Sequence, residues 1–246
     1  MLKAFANAIL NEKQIITFRR LFFKVRAFLF TSNLPYLALA HGTDKEGFHS
    51  YCKFYQSHFE RIKNRKLDIL EIGVGGYENP KEGGNSLRMW KSYFKKSNIF
   101  GIDIFDKKAH EENRIKTFKG SQTDEKFLKD IVSKIGKIDI VIDDGSHINE
   151  HVIQTFKILF PLLSKNAIYV IEDLQTSYWT STGDIEWGGS RNLNDPKTSM
   201  NFLKGLIDGI NHKEFECQNY KASYFDENIS SIHFYNKIAF ILKGGN

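Results

Sequence analysis

Val141-Ile142-Asp143-Asp144-Gly145-Ser146-His147, read together with Val170-Ile171-Glu172-Asp173, decides how this chain folds. Each stretch begins as a run of buried-type residues and ends in acids. Strands of a parallel sheet read this way, apolar on both faces and polar where the chain leaves the sheet. In open α/β sheets, ligands bind outside the carboxyl ends of the strands. If the two strands are neighbours, Asp144, Glu172 and Asp173 converge on one point. Three crowded carboxylates repel unless a cation or protons hold them. His147 follows Asp144 by three residues on the same rim. Hard oxygen ligands beside an imidazole suit Mg²⁺-type chemistry on a hydroxyl. Any one of these acids alone reads as a helix cap or a solvated loop residue. Two acid pairs, each closing an apolar run, read as a site.

The other strands fall into place around these two. Asp68-Ile69-Leu70-Glu71-Ile72-Gly73 is the first, followed by Val74, Gly75, Gly76, Tyr77 and Glu78. Glycines at a strand's end let the backbone approach a bound molecule closely. A dinucleotide fingerprint wants a third glycine where Glu78 stands, and residues 79–85 read as loop, so a pyrophosphate site is disfavoured. A helix is predicted from Ser86 to Phe94, with Ser86 as its cap. The second strand, from Ile99 to Asp103, ends in an acid placed to accept hydrogen bonds from both ribose hydroxyls. After a third strand from Arg114 to Lys119, Gly120, Ser121 and Gln122 stand where an adenine edge could lie. Thr123 or Asp124 equally serves as cap of a helix to about Ile135.

A fourth strand from Ile138 to Asp143, a helix from about Asn149 to Leu163 and a fifth strand from Ala167 to Ile171 come next. Beyond Asp173, a Gly/Ser/Asp-rich loop through Asp195 carries Trp187, Gly188 and Gly189 and reads as a lid or substrate contact. Ser199 to Ile210 is a helix. Ile229 to Tyr235 and Ile238 to Lys243 alternate around Asn236-Lys237 and form a hairpin, one member of which must run against the parallel strands. The fold class is therefore α/β: a doubly wound, mostly parallel, seven-stranded Rossmann-like sheet closed by an antiparallel hairpin.

At 246 residues the chain can form one large α/β domain with an appendage, divided here into residues 1–64 and 65–246. Its net charge of +6 is mixed through most of the sequence, which excludes a nucleic-acid signature by charge alone. Cys52 and Cys217 lack metal or redox spacing and read as reduced thiols of a cytoplasmic protein. Met1 to Ser32 is amphipathic and basic, with charges that interrupt any span or signal core. It reads as a helix packed on the main domain or on another subunit, in preference to one lying on a membrane surface. His41-Gly42-Thr43-Asp44-Lys45 is a polar loop, and residues 49–59 have helical spacing with Tyr51, Tyr55 and His58 on one face.

These residues together resemble the class I S-adenosylmethionine-dependent methyltransferases. More narrowly, Glu71 to Tyr77, Asp143-Asp144-Gly145-Ser146-His147, Ile171 to Trp179 and the loop at 41–45 resemble the metal-dependent sugar O-methyltransferases of macrolide biosynthesis. The resemblance runs from about residue 41 onward. It implies that Asp144, Glu172 and Asp173 hold Mg²⁺ and that His147 is the general base. It also implies that Glu71, Gly73, Gly75, Tyr77, Ser86, Asp103, Gly120 and Ser121, with Gln122 and Asp143, hold the methyl donor. The acceptor would be a small-molecule or glycan sugar hydroxyl, and the enzyme a homo-oligomer. The sequence departs from that family at its start, where a short basic segment stands in place of a larger auxiliary domain. The cephalosporin hydroxylase and rhamnosyl methyltransferase group shares the Asp…Glu-Asp arrangement and is the near alternative. A nicotinamide oxidoreductase would share Asp103 but is opposed by Glu78. A binding module would leave the acids and His147 unexplained.

Overall fold

The computed structural model describes residues 32–244. The amphipathic helix expected over Met1 to Ser32 lies, but for Ser32, outside the described residues. The chain divides into two compact units, one reaching to Lys66 and including Gly84–Ser97, the other formed by Leu67–Gly83 and Asn98 onward. The division differs from a cut at 64/65, because the helix after the glycine loop groups with the N-terminal residues.

The first unit is helical. α1 (Leu34–His41) starts with Pro35 in its first turn, where the missing N–H costs nothing, and Asn33 Oδ1 accepts from Tyr36 N–H at 3.1 Å. Gly42, at φ +71°, ends it. α2 (Cys52–Phe59) and α3 (Asn85–Tyr93) come after it. Buried Tyr55, Phe59, Trp90 and Phe94 form the core, with the Tyr55 and Trp90 rings 4.9 Å apart. The expected cap of α3 is corrected: Gly84, at φ +67°, is the N-cap and makes no side-chain bond. Ser86 is buried in the first turn.

The second unit is built on a seven-stranded sheet. Its strands are β1 (Asp68–Ile72), β2 (Asn98–Asp103), β3 (Ile115–Lys119), β4 (Ile140–Asp143), β5 (Ile168–Ile171), β8 (Ile229–Tyr235) and β9 (Ile238–Lys243). The spatial order is β3-β2-β1-β4-β5-β9-β8. The first five run parallel, β9 runs antiparallel to β5, and β8 antiparallel to β9. β4 and β5 are buried at every residue, as their unbroken apolar runs require. Chain order reverses between β1 and β4, and this switch point opens a crevice at the carboxyl ends of the strands.

Helices α4 (Glu125–Ile135), α5 (Asn149–Leu159) and α6 (Ser199–Ile210) belong to this unit. Phe156 of α5 packs against Phe160, Tyr169, Phe202 and Phe225 at centroid distances of 4.8–5.6 Å. α4 is capped by Asp124, whose Oδ1 accepts from Phe127 N–H at 3.0 Å, so the helix-cap reading of that residue holds. Past α5, the buried Lys243 ammonium donates to the carbonyls of Phe160, Pro161 and Leu163 at 2.8–3.0 Å, satisfying acceptors the helix end leaves open. Within the stretch read as loop, β6 (Ser181–Thr182) and β7 (Ile185–Glu186) pair as a small hairpin around Gly183-Asp184, a two-residue turn suited to that job.

Candidate active site

The carboxyl ends of β1, β4 and β5 are held level by hydrogen bonds that continue the ladder. Asp144 N–H donates to Ile72 O at 3.0 Å, and Glu172 N–H to Asp143 O at 3.0 Å. Beyond these bonds lies a cluster of Asp144, His147 and Asp173, whose candidate ligand atoms all fall within 4.8 Å of one another. His147 Nε2 lies 3.8 Å from Asp144 Oδ1 and 3.6 Å from Asp173 Oδ2. All three side chains are partly exposed, so a ligand can reach them. His147 (φ +57°) and Asp173 (φ +53°) are both left-handed, a conformation that costs non-glycine residues about 1–3 kcal/mol and concentrates at functional sites. Two hard carboxylates at this spacing are donors suited to a divalent cation, and the His147 imidazole beside them is placed to handle a proton. Glu172, which precedes Asp173 in the chain, is buried. Asp144 and Ser146 do not cap α5; its N-cap is Ile148, with no side-chain bond.

The predicted donor-binding residues separate into groups. Gly73 and Gly75 lie at φ +90° and +79° just past β1, and a Cβ at Gly73 would meet Asp144 O at 2.0 Å. The glycine turn therefore touches the acid-bearing turn directly. Glu71 is fully buried in β1. Asp103 Oδ2 accepts from Val74 N–H and Oδ1 from Phe105 N–H, each at 2.9 Å, so it shapes two turns while keeping lone pairs for a ribose. Tyr77, at φ +44°, is 85% exposed. Gly120 makes room for the Phe127 ring, and Ser121 Oγ accepts from Thr123 N–H at 3.2 Å. Ser86 belongs to the first unit.

Gln122 and Asp143 lie in a buried network. Gln122 Nε2 donates to Asp143 Oδ1 (3.3 Å) and Thr155 Oγ1 (3.1 Å), and its Oε1 accepts from Ser146 N–H (2.8 Å). Its amide thus links the turn after β3 to β4 and α5. Tyr169 Oη donates to Asp143 Oδ2 at 3.2 Å. Burial pushes the Asp143 carboxyl up to about 7, opposed by His147, the Gly145 N–H and Tyr169. Burial, together with Asp143, pushes the Tyr169 phenol well up.

Sequence reasoning missed Lys107. Its buried ammonium donates to the carbonyls of Tyr77 (2.7 Å), Asn79 (2.9 Å) and Glu82 (3.3 Å), and His110 Nε2 lies 3.0 Å from the same Glu82 oxygen. The glycine-rich loop is thus gathered around a cation 25–30 residues away in sequence.

No family profile matches the chain. It is 46% identical over 211 residues to the 8-demethyl-8-alpha-L-rhamnosyl tetracenomycin-C 2'-O-methyltransferase of Streptomyces olivaceus, covering 85% of this chain and 54% of that one. It is 44% identical over 220 residues to the mycinamicin VI 2''-O-methyltransferase of Micromonospora griseorubida, covering 87% and 53%. The solved structure of the MycE methyltransferase in complex with Mg and SAH superposes with a TM-score of 0.82 at 44% identity, over 87% of this chain and 54% of that one. The chain has the class I methyltransferase fold and is a relative of these sugar O-methyltransferases. It spans about half the length of the curated relatives it matches. Within this methyltransferase sheet, the order β3-β2-β1-β4-β5-β9-β8 puts the acid cluster beside the switch-point crevice.

Proposed function

We propose that this chain transfers a methyl group from S-adenosylmethionine to a sugar hydroxyl, with a bound Mg²⁺. The observation that carries the reading is the cluster of Asp144, His147 and Asp173 past β4 and β5. The MycE structures, one with Mg and SAH and another also with mycinamicin VI, support it. Residues 65–246 would form the transferase body and 1–64 an appendage. The reading extends to a homo-oligomer, with sedimentation as its check. Cys52 and Cys217 are free thiols, in keeping with a cytoplasmic setting.

Asp144 and Asp173 would hold the cation, with Glu172, next to Asp173 in the chain, as a further carboxylate. A divalent cation there makes a neighbouring alcohol easier to deprotonate, while the donor's sulfonium supplies an activated methyl. His147 Nε2, on the same rim, takes the hydroxyl proton. Asp103, Gly73 and Gly75 would line the donor's side of the crevice, and the turn at Gly73 abuts Asp144 O. This contact keeps donor and acceptor segments at fixed separation, and such alignment supplies much of a transfer rate.

Calorimetry with S-adenosylmethionine, with and without Mg²⁺, followed by mass analysis of candidate glycosides incubated with enzyme and both cofactors, tests the proposal. Donor binding and a gain of one methyl group that chelator abolishes are expected. Absence of donor binding sinks the transferase reading; transfer that survives chelation sinks the metal assignment.

A further inference from the structure

The cluster's two halves come from different segments. His147 stands two residues before α5, and Asp173 begins a short 3₁₀ helix (Leu174–Tyr178). Both are left-handed, so both would relax unless their surroundings hold them. Upstream of His147 the anchors are Asp144 N–H on Ile72 O and Ser146 N–H on Gln122 Oε1. Downstream, one residue meets every other segment concerned.

Asn149, the first residue of α5, is 1% exposed. Its Nδ2 donates to Thr176 O at 3.1 Å, inside the 3₁₀ helix that Asp173 begins, and to Trp187 O at 2.8 Å. Its backbone N–H also donates to Trp187 O, at 2.9 Å. Its Oδ1 accepts from Ser199 N–H at 2.7 Å, and the hydroxyls of Ser177 (3.0 Å) and Ser199 (2.8 Å) point to the same oxygen. A single amide therefore ties the segment after His147 to the segment after Asp173, to the Trp187 loop and to the start of α6. A carboxylate of the same shape offers no donors for the two carbonyls, and an alanine offers nothing.

We propose that Asn149 is a positioning residue that holds the turn bearing Asp173 against the turn bearing Asp144 and His147, and thereby sets the affinity of the two carboxylates for a divalent cation. The inference rests on the reading of that cluster as a cation site. Outer-shell partners that orient ligands commonly govern metal affinity, and their loss costs about 10–100-fold. Asn149 acts on the cluster without touching the donor side of the crevice, so the two affinities should part.

The test is Mn²⁺ binding, followed by electron paramagnetic resonance, beside S-adenosylhomocysteine binding by calorimetry. Wild type, Asn149→Asp and Asn149→Ala are compared with Lys243→Met, which breaks an equally buried set of carbonyl bonds away from the cluster. Both Asn149 variants should lose Mn²⁺ affinity by about 10–100-fold while holding S-adenosylhomocysteine as wild type does. Lys243→Met should lower the melting temperature and leave Mn²⁺ affinity alone. Wild-type Mn²⁺ affinity in Asn149→Asp overturns the proposal, as does an equal loss in Lys243→Met. If neither Asn149 variant folds, Ser177→Ala must weaken Mn²⁺ binding in the same direction, and unchanged affinity there overturns it. Failure of the wild type to bind Mn²⁺ sinks the cation reading itself, a separate result.

Discussion

Gly73→Ala probes the contact between the glycine turn and the acids after β4. Two costs are involved, and the chain contains a residue that separates them. Gly73 sits at φ +90° and Gly136 at φ +88°. Forcing alanine to a positive φ of this kind costs about 1–3 kcal/mol, and both substitutions incur such a cost. At Gly136 a Cβ meets nothing within 4 Å; at Gly73 it stands 2.0 Å from Asp144 O, and ordinary contact begins at 3.4 Å. The carbonyl of Asp144 must therefore retreat by about 1.4 Å, against the bonds Asp144 N–H to Ile72 O and Gly73 N–H to Ile102 O. A misplacement of about 1 Å near reacting groups costs on the order of 100-fold in rate. Gly136→Ala should lower unfolding free energy by about 1–3 kcal/mol and leave kcat/KM unchanged. Gly73→Ala should lose more stability than that, lose about 100-fold or more in kcat/KM and bind Mn²⁺ more weakly. Urea melts and methyl transfer from labelled donor at saturating Mg²⁺ measure both. If the two variants match in stability and in rate, the acid turn does not rest on Gly73 and the geometric reasoning fails.

His147→Ala should lower kcat by about 10²–10⁴-fold with donor affinity intact, the usual share of a general base; undiminished turnover would remove it from that role. Lys107→Met removes the donor shared by three carbonyls of the glycine-rich loop; residues 77–82 should become the first site of limited proteolysis, and S-adenosylhomocysteine should bind more weakly. Asp143, with an ordinary value of 3.8, is pushed by burial up to about 7, so the folded chain binds the extra proton between these values. The resulting stability, at most about 4 kcal/mol, is complete below the unfolded-state value and is lost as pH rises through 7. Urea denaturation without divalent cation at pH 5 and pH 8 should show that loss in wild type and not in Asp143→Asn.

The parallel strands were legible because burial on both faces demands apolar runs, and Val141-Ile142 and Val170-Ile171 supply them. The closing hairpin was legible because its strands alternate around a two-residue turn, and its bounds match the structure. The cap at Ser86 failed because Gly84 adopts a positive φ and takes the cap position itself. The small hairpin at Gly183-Asp184 carried a turn signal, but two-residue strands have no alternation to count. Asp144, Glu172 and Asp173 were expected to converge with His147 on the same rim, and the group that comes together is Asp144, His147 and Asp173. Glu172, next to Asp173 and just past β5, is buried. Gln122, Lys107 and Asn149 bond partners 21–50 residues away, so no local spacing announces them.

β5, which leads into Asp173, has its outer edge covered by β9, a strand that begins about 70 residues later in the chain. At a synthesis speed of roughly 5–20 residues per second, that edge stays bare for roughly 3–14 seconds in a newborn molecule. During this interval the apolar ribbon is open to any passing strand. Production of the folded protein should therefore depend on chaperone supply and on translation speed between codons 172 and 243, more than on anything in the mature molecule's chemistry.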